Sequence, residues 1–383
     1  MADLLEQTRA ALHDELALFD AVAGGAEDGD LAGAVLPLIR QDQERAVLVA
    51  ALRLYAAACL VESCQLVRAG RPWPEAVHAI DRGLIRAGVA LRARMRQLAD
   101  QMLAALAPAA PPQRAQVLLA SADAGAPPAR PVPVLRDPDA VSLTEYLAAP
   151  PAGADARGLA PVHLTAVAAH WPALARWNSV AYLLGQTHAG ERLVPVEIGR
   201  SYVAAQWSQD LVPMRVLLDR IAAGETVYLA QHNLFHQVPA LHADVLMPDC
   251  VYTDLPGKPD ETAVVSNCWL GAAGTVSPLH YDEHDNVLVQ VVGCKLVRLY
   301  APGPAGLYGD GTAVAGNTCG VDVDAGSGST AAAAAYRARH AGFRWHDGYV
   351  ECVLRPGDGL FIPAGWWHYV RALTASFSVN YWF

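Results

Sequence analysis

The sequence has little charge and almost no lysine. Charged residues make up 17% of its 383 positions, and only two of the 28 basic residues are lysine, Lys258 and Lys295. The net charge is −10, and no block of Lys or Arg resembles a nuclear signal. Proteins that neutralise nucleic-acid phosphates are usually basic, so we expect no direct nucleic-acid partner. A hydrophobic share of 53% is enough for a packed core and argues against wholesale disorder.

Signals for export and membrane insertion are also missing. The chain begins Met-Ala-Asp-Leu-Leu-Glu, with early acids and without the apolar segment of a signal peptide. No run of about 18 apolar residues predicts a membrane span. The seven cysteines are an odd number without a C-x-x-C pair, which fits a reduced compartment better than a disulfide framework. These absences predict an intracellular protein without membrane contact, in the cytoplasm rather than the nucleus.

Changes in pattern along the chain predict three segments. Residues 1–107 have apolar residues at helical spacing, which predicts an all-helical bundle with weak similarity to a tetratricopeptide unit. We expect this bundle to bind a protein partner or a second copy of the chain. Residues 108–140 are rich in Ala and Pro, as in a linker. Residues 141–383 contain short apolar runs between turn residues, which predicts a β-sandwich or barrel.

Within the third segment, the pattern predicts some helices and one long insertion. Ser142-Leu-Thr-Glu145 resembles a capping box that opens a short helix. Further helices are expected at about 165–186 and 207–222, whereas Asn286–Tyr300 forms one apolar run of strand character. Residues 303–345 are rich in Gly and Ala, and we expect them to form a surface loop or lid.

Two separated motifs carry side chains that bind metals. His280 and Asp282 are one residue apart, so in a strand their side chains would point the same way. His368 follows a Gly-Asp turn, an apolar run and a Pro/Gly bend, which would bring it back across a barrel. His284 has the same parity, but it would lie about 13 Å from His280 along a strand and is a poor third ligand. Two His and one carboxylate leave coordination positions open, as in non-haem Fe(II) oxygenases, whereas Cys or His would close a structural zinc site.

One lysine lies where an anion would be needed. Lys295 is surrounded in sequence by Val and Leu, and burying it without an anion would be costly. It is a candidate for the far carboxylate of 2-oxoglutarate, although a lysine that faces solvent is the ordinary alternative. Tyr228 and Ser277 could add hydroxyls to such a site, and Asn286 could add an amide.

The segments around these residues resemble one family. Tyr228–Phe235, Ser277–Asp282, Asn286–Pro302 and Leu360–Leu373 are similar to the Jumonji-C (JmjC) oxygenases, most of all to the branch of JmjC-domain-containing protein 5, also called lysine demethylase 8. The resemblance covers about residues 142–383. It implies an α+β architecture, in which a double-stranded β-helix of the cupin type follows the helical domain.

The resemblance also implies cofactors and residue roles. The implied cofactors are Fe(II) and 2-oxoglutarate, with O2 as co-substrate. Iron is implied at His280, Asp282 and His368. The implied 2-oxoglutarate residues are Tyr228, Ser277, Asn286 and Lys295, and those of the substrate pocket are Glu197, Trp207, Gln231 and Trp269.

The branch is associated with C3 hydroxylation of peptidyl arginine, so we expect a peptide or protein substrate that presents arginine. Glu197 could hold a guanidinium as a two-point ion pair, and Trp207 and Trp269 could stack on its plane.

Three alternatives stay open on the sequence. N-methyl-lysine demethylation would use the same cofactors but needs a pocket for a methylated ammonium. A non-catalytic scaffold that binds through the helical domain would not need the intact triad, and a cupin isomerase or storage protein would not need Lys295. The mass of the product distinguishes demethylation from arginine hydroxylation. A lack of 2-oxoglutarate turnover would favour the other two alternatives.

Overall fold

A computed structural model describes most of the chain beyond residue 44. The described ranges are 45–88, 93–106, 117–118, 127–136, 138–148, 153–204, 206–257, 263–303, 316–346 and 348–383. Contacts divide the chain into two compact units. The first is Met1–Gln113 with Leu184–Val194 and Pro213–Arg215, and the second is Arg114–Leu183 with Pro195–Val212 and Val216–Phe383. The expected helices in residues 1–44 lie outside the described residues, and the three predicted domain bounds stay a prediction.

The described part of the first unit contains three longer helices, and their buried apolar side chains share one core. They are α1 (Arg45–Arg68), α2 (Trp73–Ala87) and α3 (Ala93–Ala105). Asp81 of α2 is fully buried and accepts hydrogen bonds from Arg192 Nε at 2.9 Å and from the Leu193 N–H at 2.7 Å. These bonds join α2 to the segment Leu184–Val194 of the same unit.

Helix α1 includes an apolar stretch long enough to cross a membrane. Residues Leu48–Arg68 have a mean hydropathy of 1.3, and 61% of the apolar window is buried inside the structure. A core helix passes the same test, so this stretch is weak evidence for a membrane segment.

Two β-sheets form the frame of the second unit, which also carries short helices. The nine-stranded sheet has the order β1-β2-β11-β8-β13-β6-β5-β3-β4, and the four-stranded sheet has the order β10-β9-β12-β7. The strands are β1 (Val134–Arg136), β2 (Val162–Thr165), β3 (Leu193–Ile198), β4 (Ser208–Pro213), β5 (Val227–His232), β6 (Val265–Gly271), β7 (Val276–His280), β8 (Asn286–Val292), β9 (Lys295–Tyr300), β10 (Tyr349–Leu354), β11 (Gly359–Ile362), β12 (Trp367–Ala372) and β13 (Ser376–Trp382). The helices are α4 (Ala140–Leu147), α5 (Pro172–Arg176), α6 (Val180–Gln186), α7 (Met214–Ala222), α8 (Leu234–Gln237), α9 (Pro239–His242) and α10 (Ala331–Arg339), with a 3₁₀ turn at Asp249–Tyr252.

This α+β arrangement confirms the predicted cupin-type architecture, but several local predictions were wrong. Residues 207–222 begin as strand β4 and become helical only at Met214. The run Asn286–Tyr300 is two strands, separated at Gly293. Gly293 has a φ of 74°, and a Cβ there would lie 2.0 Å from the Ala375 carbonyl oxygen, so a side chain is excluded at this turn.

The start of α4 also differs from its prediction. Its N-cap is Asp139, whose carboxylate accepts from the Ser142 N–H at 2.7 Å, so Ser142 lies inside the helix. Part of the stretch predicted as a linker belongs to the sheet, because β1 pairs with β2 and the Val132 N–H donates to the Glu351 carbonyl at 3.1 Å.

The predicted surface loop at 303–345 is packed where the structure describes it, from residue 316 onward. Thr318 forms a bridge with His280 beside the edge of β7. Val321, Phe343 and Trp345 are buried in one aromatic-rich cluster. Residues 304–315 lie outside the described residues. The described part of the insertion therefore packs through these buried side chains, whereas most of residues 328–342 are exposed.

All seven cysteine side chains are buried thiols. Burial raises the pKa of Cys59 and of Cys250 to about 12, and it also raises the pKa of Cys268, Cys319 and Cys352. These five groups are neutral thiols near neutral pH.

Candidate active site

Three potential metal ligands meet at one end of the four-stranded sheet. His280 ends β7, His368 lies in β12, and the two are partners in the antiparallel register. Their ring centroids are 4.2 Å apart. Asp282 lies two residues beyond the end of β7, with Oδ1 3.8 Å from His280 Nε2 and Oδ2 3.6 Å from His368 Nε2. One ligand atom from each residue lies within 4.8 Å of the others.

Backbone carbonyls orient both imidazoles. His280 Nδ1 lies 2.7 Å from the Pro278 oxygen, and His368 Nδ1 lies 3.0 Å from the Trp366 oxygen. Because a carbonyl oxygen only accepts, each Nδ1 carries the proton, and each Nε2 offers its lone pair. Partial burial and the neighbouring His368 lower the pKa of His280, which favours the neutral form that binds metals. Two neutral nitrogens and a carboxylate suit a divalent transition metal such as Fe(II).

Two hydrogen bonds hold Asp282. The Trp382 indole N–H donates to Oδ2 at 3.2 Å, and the Gly365 N–H donates to the Asp282 carbonyl at 2.8 Å. Trp382 was not among the residues that the sequence predicted for the site. His284 is not one of the three grouped residues, and its ring centroid lies 6.0 Å from the ring of Trp382.

A cavity of about 520 Å³ joins the triad to most of the predicted site residues. Its lining includes the triad, all four residues predicted for 2-oxoglutarate, and three of the four predicted for the substrate. Trp207 is the exception, because it lies near Glu197 but does not line the cavity.

Lys295 lies at the inner end of this cavity. Its side chain is 2% exposed, and Nζ donates to the Tyr228 hydroxyl at 3.3 Å. Ser277 lies close enough to Tyr228 to offset part of the rise that burial causes in the pKa of Tyr228. Among the residues that the structure describes, no carboxylate forms an ion pair with Lys295, and burial lowers its pKa to about 7. A buried cation with only a hydroxyl partner is suited to an anionic ligand.

Hydrogen bonds link Asn286, Asn380 and Trp269 along the cavity. The Asn380 amide donates to Asn286 Oδ1 at 3.2 Å, and Trp269 Nε1 donates to Asn380 Oδ1 at 2.8 Å. The chain thus joins a residue predicted for 2-oxoglutarate to one predicted for the substrate. Asn380 was missed, although alternating Ser376, Ser378 and Asn380 in an apolar strand give a signal for one polar face.

Glu197 lies toward the outer end and is half-buried. Within the described ranges no basic side chain pairs with it. Burial raises the pKa of Glu197, and the nearby Trp207 indole offsets part of this shift, although the two groups do not form a hydrogen bond of good geometry. The carboxylate therefore faces the cavity without a cationic partner among the described residues.

Three other lining residues come from irregular backbone. Gln231 has a φ of 48°, rare for a residue other than Gly, and lies at a register shift in β5 that turns its side chain toward the cavity. The Tyr202 hydroxyl lies 3.2 Å from Thr318 Oγ1. The sequence did not predict Tyr202 or Thr318, since they are more than a hundred positions apart and neither belongs to a regular strand.

Residues 157–383 match the Cupin-like domain family, so the chain belongs to that family. Its relatives there are JmjC proteins. It is 42% identical to lysine-specific demethylase 8 of Xenopus tropicalis over 226 residues, which are 58% of this chain and 47% of that protein.

Two further relatives show the range of the family. The chain is 41% identical to Jumonji C domain-containing protein 5 of Drosophila melanogaster, over 56% of this chain and 52% of that protein. It is 26% identical to the human bifunctional peptidase and (3S)-lysyl hydroxylase JMJD7, over 56% of this chain and 74% of that protein. The chain spans about half the length of the first two relatives. JmjC proteins generally use Fe(II) and 2-oxoglutarate.

Proposed function

We propose that this chain is an Fe(II)- and 2-oxoglutarate-dependent protein hydroxylase that acts on C3 of peptidyl arginine. The observation that carries the proposal is the cavity, in which a buried lysine and a glutamate, neither ion-paired within the described residues, lie with an open His/Asp/His set. Each of the three features matches one component of the reaction: the metal, the co-substrate and a cationic side chain.

His280, Asp282 and His368 would hold the iron through two imidazole nitrogens and one carboxylate oxygen. When bound, iron together with 2-oxoglutarate and O2 supplies the oxidation, in which one oxygen atom enters a substrate C–H bond and the other enters succinate as CO2 leaves. The side chains keep the ligand atoms oriented through the Pro278 and Trp366 carbonyls. These three side chains would position the metal, because the cofactors themselves supply the oxidation.

Lys295 would bind the far carboxylate of 2-oxoglutarate, with Tyr228 and Ser277 as hydroxyl partners. Burial raises the pKa of Tyr228, which therefore stays a neutral donor. Asn286, held by Asn380, lies on the same cavity and would orient the co-substrate. Charge-assisted hydrogen bonds in such a buried setting are stronger than those to water.

Glu197 favours a cationic substrate. Once a dicarboxylate has paired with Lys295 and a metal has paired with Asp282, the carboxylate of Glu197 still has no cation. A guanidinium fits it as a two-point donor, and Trp269 offers a flat surface on the same cavity.

A lysine substrate is the second candidate, because the relatives include lysine-specific demethylases and a (3S)-lysyl hydroxylase. Glu197 could accept an ammonium as well as a guanidinium. The planar stacking surface and the two carboxylate oxygens favour arginine.

Succinate formation and peptide mass test the proposal together. Wild-type protein with Fe(II), ascorbate and 2-oxoglutarate is incubated with arginine-containing and methyl-lysine-containing peptides. We expect the mass of one oxygen atom on an arginine residue. Loss of a methyl group from lysine would replace the proposed substrate, and absence of both succinate and metal binding would refute the oxygenase.

A further inference from the structure

We propose that Trp382 is a positioning residue for Asp282, and that its indole N–H sets which way this carboxylate faces. The inference rests on the proposed metal site. It concerns a residue that the sequence did not assign to the site and that the proposed reaction does not itself require.

The β-ladder does not position Asp282. His280 and His368 are register partners, so pairing between β7 and β12 places their imidazoles together. Strand β7 ends at His280, and Asp282 lies two residues beyond it. The backbone of Asp282 is held by the Gly365 N–H, which leaves the side chain free to rotate unless something else binds it.

Trp382 is in a suitable place to bind it. It ends β13, an inner strand, where its register partners are Asn286 on one side and Val265 on the other. Pairing on both sides fixes the backbone that carries the indole. The indole N–H then donates to Asp282 Oδ2 at 3.2 Å.

A second contact ties the same segments together. The Phe383 N–H donates to the Asp285 carbonyl at 3.0 Å. The Asp285 carboxylate accepts from Arg157 Nη2 at 2.8 Å and from the Ala364 N–H at 2.8 Å. Asp282 is bonded to Trp382 and Asp285 is bonded to Phe383, so both ends of the segment 282–285 are attached to the end of β13. These attachments fix the distance between Trp382 and Asp282.

The chemistry of the donor matters as much as its place. An indole N–H is neutral and only donates, so it orients a carboxylate without cancelling its charge. A lysine or arginine in this position would compete with a metal ion for the same charge. Hydrogen-bonded partners of metal ligands typically change metal affinity by about 10- to 100-fold when they are removed.

The test compares two tryptophans of the same cavity. Trp382→Phe keeps a ring beside His284 and removes the donor to Asp282. Trp269→Phe is the matched control, since its N–H donates to Asn380 and not to a metal ligand. Co(II) is titrated into the full metal-free chain without 2-oxoglutarate and followed by its visible absorption. We expect about 10- to 100-fold weaker binding for Trp382→Phe and at most about a twofold change for Trp269→Phe.

Further measurements distinguish a failure of the inference from misfolding of a variant and from a failure of the proposed function. Thermal unfolding of the metal-free variants checks their folding, and benzothienylalanine at position 382 replaces the N–H by sulfur without changing the ring shape. Wild-type affinity in both 382 variants, with binding lost in Asp282→Ala, would overturn the inference and leave the metal site intact. Absence of Co(II) binding in the wild type would instead refute the proposed function.

Discussion

The two ends of the cavity differ in how their residues are held. At the inner end, Lys295, His368 and Asn380 are at most 4% exposed, and each lies in a strand. At the outer end, Gln231 and His284 are exposed and come from a register shift and a bend. Sheet pairing fixes these inner residues, whereas Gln231 and His284 at the outer end depend on local backbone. Glu197 is the exception among the outer residues, because it lies in β3 opposite Tyr228.

This difference separates the residues that bind the metal and co-substrate from the residues that select the substrate. Residues held by ladders can keep metal and co-substrate geometry while the outer residues vary with the substrate. Substitutions at the inner end should therefore abolish turnover with every substrate, and substitutions at the outer end should affect only the peptide. The following predictions test this division, beginning with the largest effect.

Asp282→Ala should abolish metal binding and succinate formation, because only two imidazoles would remain. Asp249→Ala removes an exposed carboxylate outside the cavity lining and serves as the control for the loss of a charge. Co(II) titration and a succinate assay measure the effect. Retention of tight metal binding in Asp282→Ala would show that the ligand set is not the one proposed.

Lys295→Ala should weaken 2-oxoglutarate binding by at least about 30-fold, since truncating one partner of a buried charge pair costs about 2–5 kcal/mol. Metal binding should change little, because Lys295 is not a ligand. Calorimetry with Mn(II)-loaded protein measures both affinities. Unchanged 2-oxoglutarate affinity would place the co-substrate elsewhere in the cavity.

The same lysine predicts a pH dependence. Burial lowers the pKa of Lys295 to about 7 in the absence of ligand, and an anion binds the protonated form. Below about pH 7 the charge is already present, so affinity is flat. Above it, binding requires proton uptake, and the Kd should rise by up to about tenfold per pH unit. Lys295→Arg, which stays charged, should remove this rise between about pH 7 and 9 if it still binds.

Glu197→Gln should lower kcat/KM for an arginine peptide by about 10- to 100-fold, because a hydrogen bond to a charged group contributes about 1.5–3 kcal/mol. The slow succinate formation without peptide should stay near the wild-type rate, since Glu197 lies at the outer end. Equal loss of both activities would break the proposed division between the two ends.

Trp207→Leu should have the smallest effect. This indole lies near Glu197 and outside the lining, so its removal should act only through Glu197 and change kcat/KM by about two- to fivefold, the scale of about 0.5–1 kcal/mol for a weak neutral contact. Steady-state kinetics with the same peptide measure it. A loss as large as that of Glu197→Gln would mean that Trp207 reaches the substrate directly.

Short-range patterns predicted the strand frame and the triad, whereas contacts distant in sequence were missed. The pair His280 and Asp282 was predicted from strand parity, yet Asp282 lies beyond the strand and is held by Trp382, a hundred positions away. Lys295 stood out because its neighbours are apolar. Strand β4 was missed because its sequence, Ser-Gln-Asp-Leu-Val-Pro, is polar and mostly exposed. Pairing partners, rather than residue types, determine such elements.

The burial of every cysteine has a practical consequence for experiments on this protein. Maleimides and iodoacetamide react with exposed thiolates, and the native fold presents only shielded side chains, five of which have a raised pKa. A single cysteine introduced at the exposed rim of the cavity, for example at Glu283, should therefore accept a fluorophore selectively. The native cysteines should therefore contribute little background labelling when peptide binding at the cavity opening is followed by fluorescence.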